Sequence, residues 1–242
     1  FNPYWADLGV LATYGRLFDT SWVWAVELTA YHAVVSITIP IVLVELLFPR
    51  IADRPWLGKQ GVRNFIIWLT FISLTGLASF GFLMSRAKGY THPPLMYLGA
   101  LLIAAFLVWL GLHLHPQAPK SIYAPAPSYW SLRIWAFIVM AAFFFTAWAM
   151  PYFIPWPLVP ILVIVGLVAL GVWQIGRWGR RAAWDAMHRL ALVSGALGFF
   201  IILSPMVEFI VRPAGKIVTG QTLFAVSCLV TLIVLTLVVK RR

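Results

Sequence analysis

Long hydrophobic runs, separated by short segments rich in basic residues and proline, make up most of the chain. Seven runs of about 20 to 28 residues lie at 21–48, 64–84, 95–114, 131–150, 157–176, 184–211 and 221–239. None alternates apolar and polar positions, so helices are favoured over strands. A helix of about 20 residues is roughly 30 Å long, which matches the apolar core of a bilayer. The pattern predicts an all-α, polytopic membrane protein with about seven transmembrane helices.

The amino-acid composition supports a membrane-embedded chain. Of the 242 residues, 62% are hydrophobic and 10% are charged, whereas soluble domains carry about 25% charged residues. A soluble fold of this size would have too little polar surface to cover itself. Because the apolar runs are continuous, a bundle of helices is expected rather than a transmembrane barrel.

The pattern distinguishes two parts of the chain. Residues 1–20 are too short and too mixed to span a membrane, and the spacing of their aromatic and leucine residues is typical of a short interfacial helix. Residues 21–242 are predicted to form a single seven-span domain. Within this domain, Pro40 is expected to bend the first span, and the short link at 151–157 makes the fourth and fifth spans antiparallel neighbours.

The distribution of basic residues predicts the orientation of the spans. The net charge is +11, and only five of the 18 Lys and Arg residues fall on one side of the seven-span arrangement, namely Arg16, Arg86, Lys88, Arg212 and Lys216. Cytoplasmic loops collect Lys and Arg, so the N-terminus is predicted outside and the C-terminus in the cytoplasm, in a prokaryotic plasma membrane. Because topology accounts for the charge, no nucleic-acid partner is expected.

Ionisable residues near the outer surface are the first candidates for a site, because such residues are costly inside spans. Glu27, Tyr31, His32 and Glu208 are the candidate binding residues. Glu27 and Tyr31 are four residues apart and share a helix face. One interpretation is an outward-facing polar pocket. The other is structural: Glu208 pairs with Arg212, and Glu27 accepts a hydrogen bond from a neighbouring helix.

His32 lies deepest in the membrane in this topology, with Ser36 one helical turn beyond it. A histidine at this depth is suited to relaying protons. Alternatively, it is a neutral side chain that bonds to a hydroxyl of the second span, at Ser73, Thr75 or Ser79. The sequence leaves both interpretations open.

A second group of candidates is predicted near the cytoplasmic surface. Asp185 and His188 are three residues apart at the start of the sixth span, and His113 and His115 end the third span. Two histidines with a carboxylate match a zinc site that keeps an open position for water. Two histidines also match the axial ligation of haem.

The same residues also have structural explanations. Arg181, Asp185 and Arg189 are spaced four residues apart, which suits a ladder of ion pairs along one helix face. A histidine at a helix C-terminus, such as His113, bonds to free carbonyl groups. The sequence contains neither an HExxH nor an HxxxH motif.

Small residues follow His188 along one face of the sixth span. Ala191, Gly195 and Gly198 continue from His188 at spacings of three or four residues. Small residues at this spacing allow the backbone of another helix to approach closely. The stripe is therefore expected to face the interior of the bundle.

The function favoured by the sequence is a membrane-embedded subunit or a binding or transport component. It would contact lipid and other membrane-protein subunits, and no cofactor is expected. The alternative is an intramembrane metal-dependent hydrolase, or a haem-binding protein, that uses His188, Asp185 and His113 or His115. The sequence contains no nucleophile elbow, phosphate-binding loop or dinucleotide-binding fingerprint. Whether the chain is an enzyme stays open at this level.

Overall fold

A computed structural model describes residues 13–17, 20–51, 58–88, 123–211 and 220–241, together with positions 98, 102, 105, 106, 109 and 113. The described part is predominantly helical, as the sequence predicts. It divides into two compact units, one formed by Arg54–Lys120 and the other by Asn2–Asp53 with Ser121–Arg242. That residues 21–242 form a single domain stays a prediction.

Most of the described elements are helices. In chain order they are β1 (Arg16–Leu17), β2 (Thr20–Ser21), α1 (Trp22–Tyr31), a π-helix (His32–Thr38), α2 (Ile39–Leu47), a 3₁₀ turn (Pro49–Ile51), α3 (Lys59–Lys88), α4 (Tyr129–Trp148), a second 3₁₀ turn (Met150–Tyr152), α5 (Leu158–Trp178), α6 (Ala186–Val211) and α7 (Gln221–Lys240). Helix α3 belongs to the first unit, and the other elements belong to the second.

Five described helices are long and apolar enough to cross a membrane, and all of them lie in the second unit. They are Trp22–Leu47, Tyr129–Tyr152, Leu158–Trp178, Ala186–Ile210 and Gln221–Lys240. Large apolar side chains such as Val172, Phe209 and Leu223 are exposed on these helices. Such surfaces are compatible with lipid tails, which are as apolar as leucine. A helical membrane protein is thereby supported, while the number seven and the orientation of the termini stay predictions.

The N-terminal segment is described only near its end, so the expected interfacial helix stays a prediction. Residues 1–12, 18 and 19 lie outside the described residues. Residues 13–15 form a turn, and β1 pairs with β2 in an antiparallel hairpin. Gly15 has a φ of 65°, which glycine adopts without strain, and the Tyr14 hydroxyl donates to the Ile154 carbonyl at 2.7 Å. A tight chain reversal therefore leads into the first span.

The first span is a single run of helix whose middle turns are widened. The π-helix ends two residues before Pro40, whose ring lacks an N–H and collides with the carbonyl four residues earlier in a regular α-helix. The Ile39 N–H bonds to the Val34 carbonyl, five residues back. The Thr38 hydroxyl donates to the Ala33 carbonyl at 2.7 Å. The expected effect of Pro40 thus takes the form of a π-helical segment.

Helices α4 and α6 pack against each other more extensively than any other described pair. A Cβ placed on Gly195 would overlap the Arg133 carbonyl oxygen and lie 2.8 Å from the Arg133 Cα. Ala191, one turn earlier, is fully buried. The Arg133 Nε donates to the Ser194 hydroxyl at 3.2 Å. The close helix approach predicted from the stripe of small residues is therefore confirmed.

Two apolar clusters bring the remaining spans together. One joins α2, α4 and α6 through Ile39, Ala136, Met140, Val193 and Ala196. The other joins α2, α6 and α7 through Leu46, Leu190, Leu235 and Val239. Helix α5 contacts both α1 and α4, as expected for the short link between α4 and α5. The second cluster places the end of α2, the start of α6 and the end of α7 at one end of this unit.

Candidate functional site

An apolar cavity lies between the first span and helices α4, α5 and α6. Its volume is about 530 Å³, within the range of about 300–1,000 Å³ that is typical of small-molecule sites. The residues that line it on the helices lie within Ala30 to Val42 of the first span, Trp135 to Phe143 of α4, Leu167 to Ile175 of α5 and Arg189 to Ala196 of α6. At roughly 1.5 Å per residue, the stretch on α5 is about 12 Å long. The cavity therefore extends along the helices.

One end of the cavity is polar. Arg189 lines this end together with Trp184 and Ile175, and it is the one charged residue among the lining residues, all of which are described. The Arg189 Nη1 lies 3.3 Å from a carboxylate oxygen of Glu45, near the end of α2. The side chains of Arg189 and Glu45 are 36% and 22% exposed. Arg189 thus lines the cavity and pairs with Glu45 at the same end.

Two local features leave space for the cavity. The π-helix contributes Val34, Val35 and Thr38 to the lining, so the widened turns form part of one wall. On the opposite wall, Gly171 lines the cavity, and a Cβ at this position would meet no atom within 4 Å. A glycine in a helix interior costs stability relative to alanine. With glycine at position 171, the volume that a larger side chain would fill stays open.

Among the residues predicted to form an outward pocket, Tyr31 lines the cavity. Its ring makes edge-to-face contacts with Phe144 and Phe200, with ring centroids 6.0 and 6.2 Å away. Glu27 is 4% exposed, and its carboxyl is hydrogen-bonded to the side chain of Trp148 on α4. This is a bond from a neighbouring helix, which is the structural role considered for Glu27.

Glu208 and His32 make local contacts. The Glu208 carboxylate accepts hydrogen bonds from the backbone N–H and the hydroxyl of Thr222, both at 2.8 Å, and so satisfies the start of α7. Arg212, the expected partner of Glu208, lies outside the described residues. The His32 Nδ1 lies 2.9 Å from the Ser36 hydroxyl in the same span. A polar pocket shared by these residues stays a prediction, as does a bond from His32 to the second span.

Asp185 and His188 meet at the start of α6. Asp185 Oδ1 accepts the His188 backbone N–H at 3.0 Å and lies 2.5 Å from the His188 Nδ1. The Tyr129 hydroxyl donates to the other carboxylate oxygen at 3.2 Å. The imidazole stacks on Trp184, with centroids 5.1 Å apart, and contacts the Tyr129 ring edge-on. The buried histidine is therefore held between two aromatic rings and a carboxylate.

The close contact between Asp185 and His188 links the two side chains directly. At 2.5 Å the Asp185 Oδ1 and the His188 Nδ1 share a hydrogen bond, and Nε2 is the remaining ring nitrogen. Partial burial raises the pKa of the Asp185 carboxyl, but the hydrogen bonds and charge of His188 outweigh burial and lower this pKa below 3.8. The carboxylate also satisfies an orphan N–H of α6. The arrangement is therefore that of a helix cap.

The ladder of ion pairs expected from Arg181, Asp185 and Arg189 does not form. Helix α6 begins one residue after Asp185, so Arg181 precedes the helix and shares no helical face with it. Arg181 instead donates to the Pro125 carbonyl. Arg189 pairs with Glu45. The expectation was wrong because it required an unbroken helix through residues 181–189.

The histidines of the third span do not extend this cluster in the described structure. His113 lies in the first unit, where its Nδ1 is 2.8 Å from the Trp109 carbonyl oxygen. His115 lies outside the described residues. Within the described ranges, no three His, Cys, Asp or Glu side chains are grouped closely enough to hold a metal ion. A zinc or haem site that joins His113 or His115 to His188 stays a prediction.

The cavity and Arg189 are absent from the sequence-based site predictions. Glu45 and Arg189 lie at the same predicted depth, at the end of the first span and the start of the sixth. An acid near the membrane needs a partner, which is the signal that points to this pair. The sequence contains no comparable signal for the cavity, because the cavity depends on how the π-helix and Gly171 pack against other helices.

Comparison with family models, with curated proteins and with solved structures gives no match. The functional evidence therefore comes from the geometry of this chain. Its main feature is an apolar cavity with one charged end.

Proposed function

We propose that this chain is an integral membrane protein that holds a molecule with an apolar chain inside its helix bundle, as a binding or transport component of the membrane. The observation that carries this proposal is the cavity of about 530 Å³, apolar along its length and bounded at one end by Arg189. Sites for small molecules combine an apolar lining with a few placed polar groups. The occupant is therefore an amphipathic molecule of the lipid type.

The seven-span topology, with the N-terminus outside and the C-terminus in the cytoplasm of a prokaryotic cell, is part of the proposal. Contacts within the second unit support it. The ion pair of Glu45 with Arg189 brings the end of α2 to the start of α6, and the bond of Tyr129 to Asp185 brings the start of α4 there too. The chain between α2 and α4 thus starts and ends on the same side of the membrane. Two crossings, by spans at 64–84 and 95–114, are consistent with this arrangement.

Surface labelling tests this topology. With Cys228 replaced by Ser, Gly89→Cys is expected to react with a membrane-impermeant maleimide from outside intact cells. Gly58→Cys is expected to react only after permeabilisation. Labelling of both positions from the same side would contradict two crossings between α2 and α4.

Native mass spectrometry tests the binding function. Protein purified from membranes in mild detergent is expected to retain about one amphipathic molecule per chain, which solvent extraction releases for identification. Gly171→Phe places a ring in the cavity and is expected to abolish retention. Gly166→Phe is the matched control, because Gly166 lies on the same helix, also has open space at its Cβ, and does not line the cavity.

Two outcomes would contradict the binding function. One is a wild-type chain that retains no such molecule. The other is equal retention by the Gly171→Phe and Gly166→Phe variants, because the retained molecule would then lie outside the cavity.

A further inference from the structure

We infer that the molecule in the cavity is an anionic phospholipid, whose acyl chain lies along α5 and whose phosphate meets Arg189. This inference rests on the proposed function and adds the chemical class of the ligand. Three observations carry it: the position of Arg189, the charge around that end of the unit, and the apolar length behind it.

Arg189 is placed to bind a phosphate. Its guanidinium carries five N–H donors in a planar fork that matches a phosphate with two parallel hydrogen bonds. The contact with Glu45 is made through Nη1, at 3.3 Å. The Arg189 side chain is about one-third exposed and lines the cavity. A headgroup at this point is therefore within reach of the guanidinium while its chain extends into the cavity.

The same end of the second unit is strongly basic. Its described basic residues are Arg50, Arg133, Arg177, Arg180, Arg181, Arg189, Lys240 and Arg241, whereas its described acids are Glu45 and Asp185. Contacts hold these helix ends together: Trp135 of α4 lies 5.0 Å from Trp178 of α5 between ring centroids. The excess of positive charge favours anionic headgroups over zwitterionic ones.

The apolar length of the cavity selects a lipid over a free anion. Phosphate alone would meet Arg189 and leave about 12 Å of hydrocarbon lining uncovered along α5. An acyl chain gains little by moving from the bilayer into the cavity, because lipid tails and leucine are equally apolar. The acyl chain therefore fills the cavity, and the charged end of the cavity determines which lipid headgroup is preferred.

Glu45 opposes the preference that Arg189 creates. Its carboxylate pairs with Arg189 at 3.3 Å and carries a charge of the same sign as a phosphate. Removal of this carboxylate leaves Arg189 with its full charge for the headgroup. Glu45 and Arg189 variants are therefore expected to change lipid preference in opposite directions.

A competition between two phospholipids tests the inference. The full chain in mild detergent is given equimolar phosphatidylglycerol and phosphatidylcholine with identical acyl chains, and native mass spectrometry measures the ratio of the bound lipids. The wild type is expected to prefer phosphatidylglycerol by about fivefold, because both headgroups carry a phosphate and only phosphatidylcholine adds a choline cation, which Arg189 and the basic end of the unit repel. Arg189→Gln is expected to abolish the preference, and Glu45→Gln to increase it.

Two further variants keep the test decisive. Arg189→Lys retains the charge without the fork and is expected to keep part of the preference, even where Arg189→Gln folds poorly. Arg177→Gln is the control for general surface charge, because Arg177 lies over the Trp173 ring and does not line the cavity. A loss of preference in Arg177→Gln equal to that in Arg189→Gln would overturn the inference.

The outcomes separate the two proposals. If the wild type retains one lipid per chain but takes both kinds equally, the anionic class is wrong and the binding function stands. If the wild type retains neither lipid, both proposals fail. If preference for phosphatidylglycerol is lost in Arg189→Gln and rises in Glu45→Gln, both are supported.

Discussion

The two sides of helix α4 are packed in different ways. Towards α6 it meets a stripe of small residues, and the backbone of Arg133 lies so close to Gly195 that no side-chain atom fits between them. Towards α5 and the first span it borders a cavity of about 530 Å³, where Gly171 faces open space. Glycine therefore serves opposite purposes in the same bundle: at Gly195 it allows contact, and at Gly171 it prevents filling.

The side of α4 that faces α6 is expected to contribute to stability, and the side that borders the cavity to binding. Without a hydrophobic driving force between helices in lipid, close van der Waals packing holds spans together, and the α4–α6 contact provides it. The wall formed by the π-helix and α5 is left less densely packed. Substitutions on the two sides are therefore expected to affect different properties, as the following variants test.

The largest effect is expected at Gly195. Gly195→Ala forces α4 and α6 apart because its Cβ would overlap the Arg133 carbonyl, and the free energy of unfolding is expected to fall by about 2 kcal/mol. Gly198→Ala is the matched control, since its Cβ would lie 3.8 Å from the Phe137 ring, an ordinary contact. Unfolding in denaturing detergent measures both. Equal losses in the two variants would contradict the close contact at Gly195.

A smaller effect is expected at Asp185, where α4 and α6 are joined at their ends. Asp185→Ala removes the cap and the bond from Tyr129, and is expected to lower the free energy of unfolding by about 1 kcal/mol at pH 7. Asp185→Asn keeps a capping oxygen but cannot ionise.

The pH dependence of this effect follows from the lowered pKa of Asp185. A carboxyl whose pKa is lower in the folded state stabilises the protein above its ordinary pKa of 3.8, and the contribution is lost as the pH falls through the folded-state pKa. The difference in free energy of unfolding between wild type and Asp185→Asn is therefore expected to shrink as the pH falls below about 4. A difference that grew below this pH would show that the carboxylate is not held by His188.

The smallest effect on stability is expected at Gly171. Gly171→Ala adds a methyl group that meets no atom within 4 Å. The gain in helix propensity is at most about 1 kcal/mol, so the free energy of unfolding is expected to stay unchanged or to rise slightly. A loss comparable to that of Gly195→Ala would show that the two sides of α4 are packed alike.

Much of the fold follows from the hydrophobic pattern alone. Runs of about 20 apolar residues predict five of the observed helices within a few residues of their ends, because a bilayer imposes one length on every span. The stripe from His188 to Gly198 predicts the face of α6 that meets α4, because close backbone approach requires small residues. Both features depend on the local sequence and on the lipid that surrounds the helices.

The site depends on long-range packing and is therefore harder to predict. The spacing of Asp185 and His188 predicts that they meet, but their contact with Tyr129 depends on how α4 packs beside α6. The sequence places Arg189 in a local ladder of ion pairs. The structure shows instead that the helix starts at Ala186 and that Arg189 pairs with Glu45. The π-helix before Pro40 forms part of the cavity wall, and no periodicity in the sequence reveals its widened turns.

The most direct test of the central claim is to locate a bound acyl chain on α5. Phospholipid with a photoreactive diazirine in the middle of its chain is incorporated around the full-length protein, illuminated, and the adducts are mapped by peptide mass spectrometry. We expect adducts on the stripe that lines the cavity, at Val168 and Gly171, and their selective loss in Gly171→Phe. Adducts confined to the exposed positions Val165, Leu170 and Trp173 would show that lipid reaches only the outer surface, and would contradict the account.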